Sequence, residues 1–157
     1  MARKIDIDAI ALESGCNYPP PFDAPCLGAT WRRLGRSSGL TAFGVNLSRI
    51  PPGVWSSQRH WHSHEDEFVM VMQGELTLVT DDGEEKLGPG DCAAFKAGDP
   101  DGHHLINRSD RDAVLLEVGN AAPAHDRCVY SDIDMIAEPG DAFYRHRDGT
   151  PYPLNKG

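Results

Sequence analysis

The residues best suited to chemistry lie in one short segment, residues 60–67, whose sequence is HWHSHEDE. This segment holds three histidines and three carboxylates, and a second imidazole pair, His103 and His104, follows later in the chain. Imidazole and carboxylate groups bind first-row transition metals and mix freely in one coordination shell. Folding alone does not require such a density of polar groups. The two clusters therefore predict that the chain is built around one metal ion.

Strand geometry indicates which of these side chains can meet. Side chains two positions apart on a strand point to the same face, so His60 and His62 can both enter the interior of a barrel. Glu67 begins a following strand, and His103 lies on a later one. Taking one face of each strand predicts a site formed by His60, His62, Glu67 and His103. Three imidazoles and one carboxylate leave one or two positions open for water or substrate, and Glu67 is also our candidate catalytic residue.

Turn signals divide the middle of the chain into short strands. Examples are Asp81-Asp82-Gly83, a strong hairpin signal, and Gly88-Pro89-Gly90. Turns spaced about eight to twelve residues apart are typical of an all-β sandwich or barrel. We predict an extended N-terminal arm over residues 1–30, a barrel over residues 31–120 and an irregular C-terminal extension over residues 121–157 that packs on the barrel.

The two histidine clusters resemble the two motifs of the cupin superfamily. The first, G-x5-H-x-H-x(3,4)-E-x6-G, is matched by His60, His62, Glu67 and Gly74, although Gly53 lies one residue too far upstream. The second, G-x5-P-x-G-x2-H-x3-N, is matched by Gly90, Gly98, His103 and Asn107. Lys96 replaces the proline of this motif, and the segment from Gly98 to His103 is two residues longer than the pattern.

This resemblance implies a double-stranded β-helix, which is a small jelly-roll barrel. It also implies that His60, His62, Glu67 and His103 hold one divalent transition metal ion, which could be Zn, Mn, Fe or Ni. The chain is similar to small single-domain cupins compared with type II mannose-6-phosphate isomerases and other sugar phosphate isomerases. In such enzymes a divalent metal would polarise the substrate carbonyl, and a carboxylate or histidine would move the proton.

Three functions remain open at this point. A sugar phosphate isomerase requires a cation for the phosphate group, and the nearby candidates are Arg59, Lys96 and Arg108. A non-haem iron dioxygenase suits a histidine and carboxylate shell with open positions. A non-catalytic cupin that binds a small ligand without turnover is the third alternative. All three imply a small-molecule partner.

The remaining histidines are expected to serve other purposes. His64 is expected at the rim of the site, where it could orient a ligand. We expect His104 on the outward face of the barrel, and His125 and His146 at the surface.

Composition excludes some classes of function. The formal net charge of −9 argues against nucleic-acid binding, which depends on neutralising phosphates with Lys and Arg. We find no signal-peptide pattern and no apolar run long enough to cross a membrane, so we expect a cytoplasmic protein without a membrane partner. The proline-rich arm and the apolar strand over residues 68–72 suggest a homodimer.

Overall fold

The computed structural model describes residues 4–153, so residues 1–3 of the predicted arm and residues 154–157 of the predicted extension lie outside the described residues. Within these described residues, thirteen strands account for nearly all the regular structure: β1 (Glu13–Ser14), β2 (Thr30–Arg33), β3 (Phe43–Ile50), β4 (His60–His62), β5 (Glu67–Gln73), β6 (Leu76–Thr80), β7 (Gly83–Leu87), β8 (Cys92–Phe95), β9 (His104–Ile106), β10 (Ala113–Asn120), β11 (Cys128–Tyr130), β12 (Ile136–Ala137) and β13 (Tyr144–Arg145). A 3₁₀ turn at Ala24–Cys26 and a short helix, α1, at Leu34–Ser37 complete the elements.

The strands form three antiparallel sheets that wrap into one barrel. Six strands pair in the order β1-β2-β3-β10-β5-β8, four in the order β13-β12-β11-β4 and three in the order β7-β6-β9. An isolated bridge between His60 and His103 joins the four-stranded sheet to the segment that leads into β9. The predicted all-β jelly-roll barrel is confirmed.

The core of the barrel follows from alternation along the strands. On β5, Val69 and Val71 are buried, whereas Phe68 and Met72 are exposed. Successive side chains of a strand point to opposite faces, so one face of β5 enters the barrel and the other faces outward. Glu67 lies on the inward face, at the start of the strand. The interior is therefore apolar near the end of β5 and polar near its beginning.

A second cluster lies between the N-terminal segment and the C-terminal strands. Tyr18 and Phe22 pack against a group that includes Tyr130, Met135 and Tyr144. The rings of Tyr18 and Tyr130 meet edge to face, with their centroids 5.4 Å apart. This packing attaches the segment that contains the prolines to the face of β11 from which Tyr130 projects, and the ring of Tyr130 lies 5.8 Å from that of His60 on the neighbouring strand.

One glycine is required by both conformation and space. Gly74 follows β5 with φ +78°, in the left-handed region that favours glycine. A Cβ there would lie 2.6 Å from the carbonyl oxygen of Asp112 and 2.8 Å from Cα of Ala113. The glycine lets the chain pass close to β10 as it turns into β6. Among residues 4–153, no helix is long and apolar enough to span a membrane.

Candidate metal centre

Two backbone hydrogen bonds position the first pair of histidines. The N–H of His60 donates to the carbonyl of His103 at 3.1 Å, and the N–H of His103 donates back at 2.8 Å. The two ring centroids lie 4.9 Å apart. His62 lies two residues along β4 from His60, with a ring centroid distance of 5.0 Å. Strand pairing and strand alternation thus bring three imidazoles to one end of the barrel interior.

Glu67 lies at the centre of these rings. Its Oε2 atom is 2.9 Å from Nε2 of His103 and 3.7 Å from Nε2 of both His60 and His62. The ligand atoms of His60, Glu67 and His103 all lie within 4.8 Å of one another. The structure therefore brings all four predicted ligand residues together, with the same nitrogen of each ring facing the carboxylate.

The opposite ring nitrogens of two histidines are occupied by the protein. Nδ1 of His60 lies 2.8 Å from the carbonyl oxygen of Gln58, and Nδ1 of His62 lies 2.6 Å from Oδ2 of Asp126. An Nδ1–H that donates to an oxygen leaves the lone pair on Nε2, which is the tautomer that a metal ligand needs. These contacts orient both rings with Nε2 towards Glu67.

His103 is held differently. Its ring stacks on Phe95, with centroids 3.4 Å apart and planes within 1° of parallel. Its Nδ1 is buried and has no hydrogen-bond partner among the described residues. Aromatic packing, rather than a second hydrogen bond, therefore fixes the orientation of this imidazole.

The electrostatics of the site favour an ionised carboxylate beside neutral and charged imidazoles. Burial opposes ionisation of Glu67, but hydrogen bonds from His103 and His60 hold its pKa well below the usual range. Burial lowers the pKa of His103 below its ordinary value, although Glu67 opposes this effect. Burial acts in the same direction on His60, but Glu67 outweighs it and raises the pKa of that ring. An ionised Glu67 and a neutral His103 are the forms that bind a metal.

The donor set fits a first-row transition metal ion. The Nε2 atoms of three imidazoles lie within 3.7 Å of one carboxylate oxygen, and Nδ1 of both His60 and His62 contacts an acceptor oxygen of the protein. Cys128 lies close to the same two histidines, because it pairs with His62 across β11 and β4. Burial raises the pKa of the Cys128 thiol above its ordinary value.

The other histidines lie outside this group of four. His64 is exposed and contacts the hydroxyl of Ser63 at 2.8 Å. His104 is buried, with its ring edge against Trp55 and its Nδ1 3.0 Å from the carbonyl of Ser57. His125 is exposed. His146 contacts Asp134 and stacks on Tyr152, far along the chain from the site.

The three candidate cations differ in their surroundings. Arg59 forms ion pairs with Asp81 and Asp132, and Arg108 forms one with Glu84. Lys96, in contrast, lines a cavity of about 130 Å³ whose wall includes ligand residues His62, Glu67 and His103. Of these three cations, Lys96 is therefore the one placed beside the metal centre.

A larger cavity opens from the centre into the barrel. Its volume is about 410 Å³, and its lining includes His60, Glu67, His103 and a second inward carboxyl group, Glu117. Sequence reasoning missed Glu117 and Asp126. The signal for Glu117 was present, since Ala113, Leu115 and Glu117 alternate along one strand, whereas Asp126 lies in a loop with no local pattern.

Comparison with known proteins agrees with this geometry. Residues 46–119 match the family model described as the cupin domain. A sugar phosphate isomerase of the cupin superfamily from Silicibacter pomeroyi is 45% identical, with a TM-score of 0.90 over 96% of this chain and 97% of that one. The chain therefore belongs to the cupin superfamily.

Two further solved structures show how far the likeness extends. A protein from Acidithiobacillus ferrooxidans, provisionally described as a sugar phosphate isomerase, is 27% identical, with a TM-score of 0.66 over 79% of this chain and 74% of that one. A polyketide cyclase from Streptomyces resistomycificus is 18% identical, with a TM-score of 0.62 over 78% of this chain and 81% of that one, and shares the fold alone. A search of curated proteins finds no match.

Proposed function

We propose that this protein is a metal-dependent enzyme that isomerises a small sugar phosphate or a similar hydroxy-carbonyl compound. The observation that carries the proposal is the convergence of Nε2 of His60, His62 and His103 on the carboxylate of Glu67. These four residues would hold one divalent transition metal ion, either Zn, Mn, Fe or Ni. The 45% identical relative described as a sugar phosphate isomerase supports the choice of reaction.

Different residues of the site would have different roles in such a reaction. When bound, the metal ion would supply a Lewis acid for the substrate carbonyl. Glu67 stays ionised as a ligand and remains our candidate for a carboxylate that touches the substrate. Lys96, at the edge of the smaller cavity, would attract the phosphate group of the substrate. The cavity of about 410 Å³ provides room for the carbon chain.

Oligomerisation is a separate part of the proposal. Phe68 and Met72, on the outward face of β5, are 37% and 51% exposed. Exposed large apolar side chains on one face of a strand favour burial against another protein surface. A second copy of this chain is the partner that we propose for this face.

The test of the function is turnover by protein loaded separately with Zn, Mn, Fe and Ni. A panel of pentose and hexose phosphates, starting with mannose 6-phosphate, is followed by nuclear magnetic resonance. Interconversion of an aldose and a ketose that is lost in His62→Ala supports the proposal. Consumption of dioxygen by the iron form indicates an oxygenase instead. Ligand-induced thermal stabilisation without any turnover indicates a binding protein.

A further inference from the structure

Glu117 is a carboxyl group in an otherwise apolar row. On β10, Ala113 and Leu115 are completely buried on the inward face, and Glu117 occupies the next inward position. Within the six-stranded sheet it pairs with Asn46 of β3 and Val69 of β5. Burying a carboxyl group inside a barrel costs free energy unless a hydrogen-bond or ion-pair partner compensates for the lost water. Its position in this row therefore calls for a functional explanation.

The carboxyl group has one neutral hydrogen-bond partner. The Ser48 hydroxyl donates to Oε2 of Glu117 at 2.7 Å. Burial in the barrel raises the pKa of Glu117 to about 7, and the charge of Glu67 acts in the same direction. A carboxyl group in this range can both accept and return a proton near neutral pH. Glu67, whose pKa is held low, is suited to remain an anionic ligand instead.

Glu117 lines two cavities, and one of them is the cavity in which we expect the substrate to bind. The cavity of about 410 Å³ is lined by Glu117 together with His60, Glu67 and His103. Glu117 also lines a neighbouring cavity of about 250 Å³, and Asn46 and Ser56 line both. The carboxyl group thus lines two neighbouring cavities, one of which it shares with three of the candidate metal ligands.

We propose that Glu117 is the catalytic residue that carries the proton between adjacent carbon atoms of the substrate. This inference rests on the proposed isomerase function and adds a role for a residue outside the metal ligands. The carboxylate takes the proton from the carbon next to the carbonyl. The C–H electron pair forms a C=C bond, and the carbonyl π pair moves to oxygen to give an enediol-type intermediate. The carboxylic acid then returns the proton to the former carbonyl carbon, which takes it with the C=C electron pair. The hydroxyl on the neighbouring carbon gives its proton to the former carbonyl oxygen and becomes the new C=O group, so no net oxidation occurs.

The groups that face Glu117 limit what else could produce the same pH dependence. On the metal side the titratable groups are Glu67 from β5, His60 from β4, His103 and Glu65. Asn46 and Ser48 from β3 do not titrate in the relevant range. On the side of the cavity of about 250 Å³ the titratable and charged groups are Arg33, two thiols and two phenols, namely Cys16, Cys26, Tyr18 and Tyr144. A variant that changes Glu117 alone therefore separates its contribution from theirs.

The test is Glu117→Gln, in which an amide keeps the hydrogen bond from Ser48 but cannot carry the proton. With the sugar phosphate that the wild-type protein turns over best, we expect kcat to fall by about 10²–10⁴-fold and KM to stay within a few fold. Incorporation of deuterium from D₂O into the product should fall in parallel. The metal content should equal that of the wild-type protein. Glu117→Asp should restore part of the lost rate.

Controls and alternative outcomes distinguish this inference from the proposed function. Glu75→Gln makes the same chemical change at a surface carboxylate that pairs with Lys86, and it should turn over at the wild-type rate. Wild-type kcat in Glu117→Gln overturns the role of Glu117 while the isomerase assignment stands. Loss of turnover in Glu65→Gln instead would transfer the role to Glu65, the third carboxylate of the cavity beside Glu67 and Glu117. Absence of isomerisation by the wild-type protein overturns both.

Discussion

Oδ2 of Asp126 lies 2.6 Å from Nδ1 of His62, although the two residues are 64 positions apart in the chain. The other oxygen of Asp126 accepts a hydrogen bond from the backbone N–H of His64 at 2.8 Å. Burial opposes ionisation of Asp126, but the His62 contact lowers its pKa below the ordinary value. The ionised carboxylate therefore fixes the His62 ring with Nε2 facing Glu67. The loop that carries Asp126 therefore helps to orient one ring of the candidate metal centre.

Replacing Asp126 by Asn should weaken metal binding without removing a ligand. An amide holds the imidazole less firmly and makes it less basic, so we expect the affinity to fall about 10–100-fold. Competition with a chromophoric chelator measures this change. Asp134→Asn is the matched control, because Asp134 makes the same type of contact with His146 at 2.8 Å. Equal affinity in the two variants would show that Asp126 does not support the centre.

The raised pKa of Glu117 predicts a stability difference with a defined sign. Burial raises this pKa from the ordinary 4.5 to about 7, so the protonated form is favoured in the folded state. The associated stability is present in full below about pH 4.5 and is lost as the pH rises towards 7. Between these limits, the free energy of unfolding of the metal-free wild-type protein should fall by about 2–3 kcal/mol relative to Glu117→Gln. Urea unfolding at a series of pH values measures the difference, and parallel curves for the two proteins would contradict it.

Two glycine substitutions can separate the steric effect of a Cβ at Gly74 from the effect of the backbone conformation there. Gly74 and Gly53 share a φ of +78°, but a Cβ at Gly53 would meet no atom within 4 Å. Gly53→Ala should therefore lose about 1 kcal/mol of stability through backbone strain alone. Gly74→Ala should lose a further 1–3 kcal/mol, roughly, because its Cβ overlaps the backbone of β10. Thermal unfolding of both variants tests this order, and equal losses would exclude the steric contribution.

The proposed dimer predicts a response to charge on the outer face of β5. Sedimentation velocity should detect a dimer of the wild-type protein at micromolar concentration. Met72→Glu places a charge on the apolar face and should shift the protein to a monomer. Phe143→Glu is the control, since Phe143 is similarly exposed but lies outside β5. A wild-type protein that is entirely monomeric would contradict the proposal.

Local patterns explain how much of the site could be predicted from the sequence. His60, His62 and Glu67 are close in sequence, and strand alternation alone predicts that they share a face. His103 required the second motif, because its approach depends on the backbone bridge to His60. The turns after β5 and between β6 and β7 also follow from local glycine signals. The shared strand face and the turns thus depend on a few residues that lie close together in the sequence.

Contacts set by tertiary packing could not be predicted in this way. Asp126 reaches His62 from a loop whose path is fixed by the pairing of β11 with β4. The burial of His104 against Trp55 depends on an isolated bridge between residues 55 and 106. Glu117 did leave a local signal, because it continues the inward row of Ala113 and Leu115. Its importance becomes visible once the cavity beside Glu67 is known.

The measurement that tests the central claim most directly is the metal content of protein purified without an affinity metal. Elemental analysis should find about one transition metal ion per chain in the wild-type protein. His62→Ala should lose most of this metal because one of the four converging side chains is gone. His125→Ala, which removes an exposed imidazole, should retain it. Full metal content in His62→Ala, or no metal in any of the three proteins after reconstitution, would contradict the account.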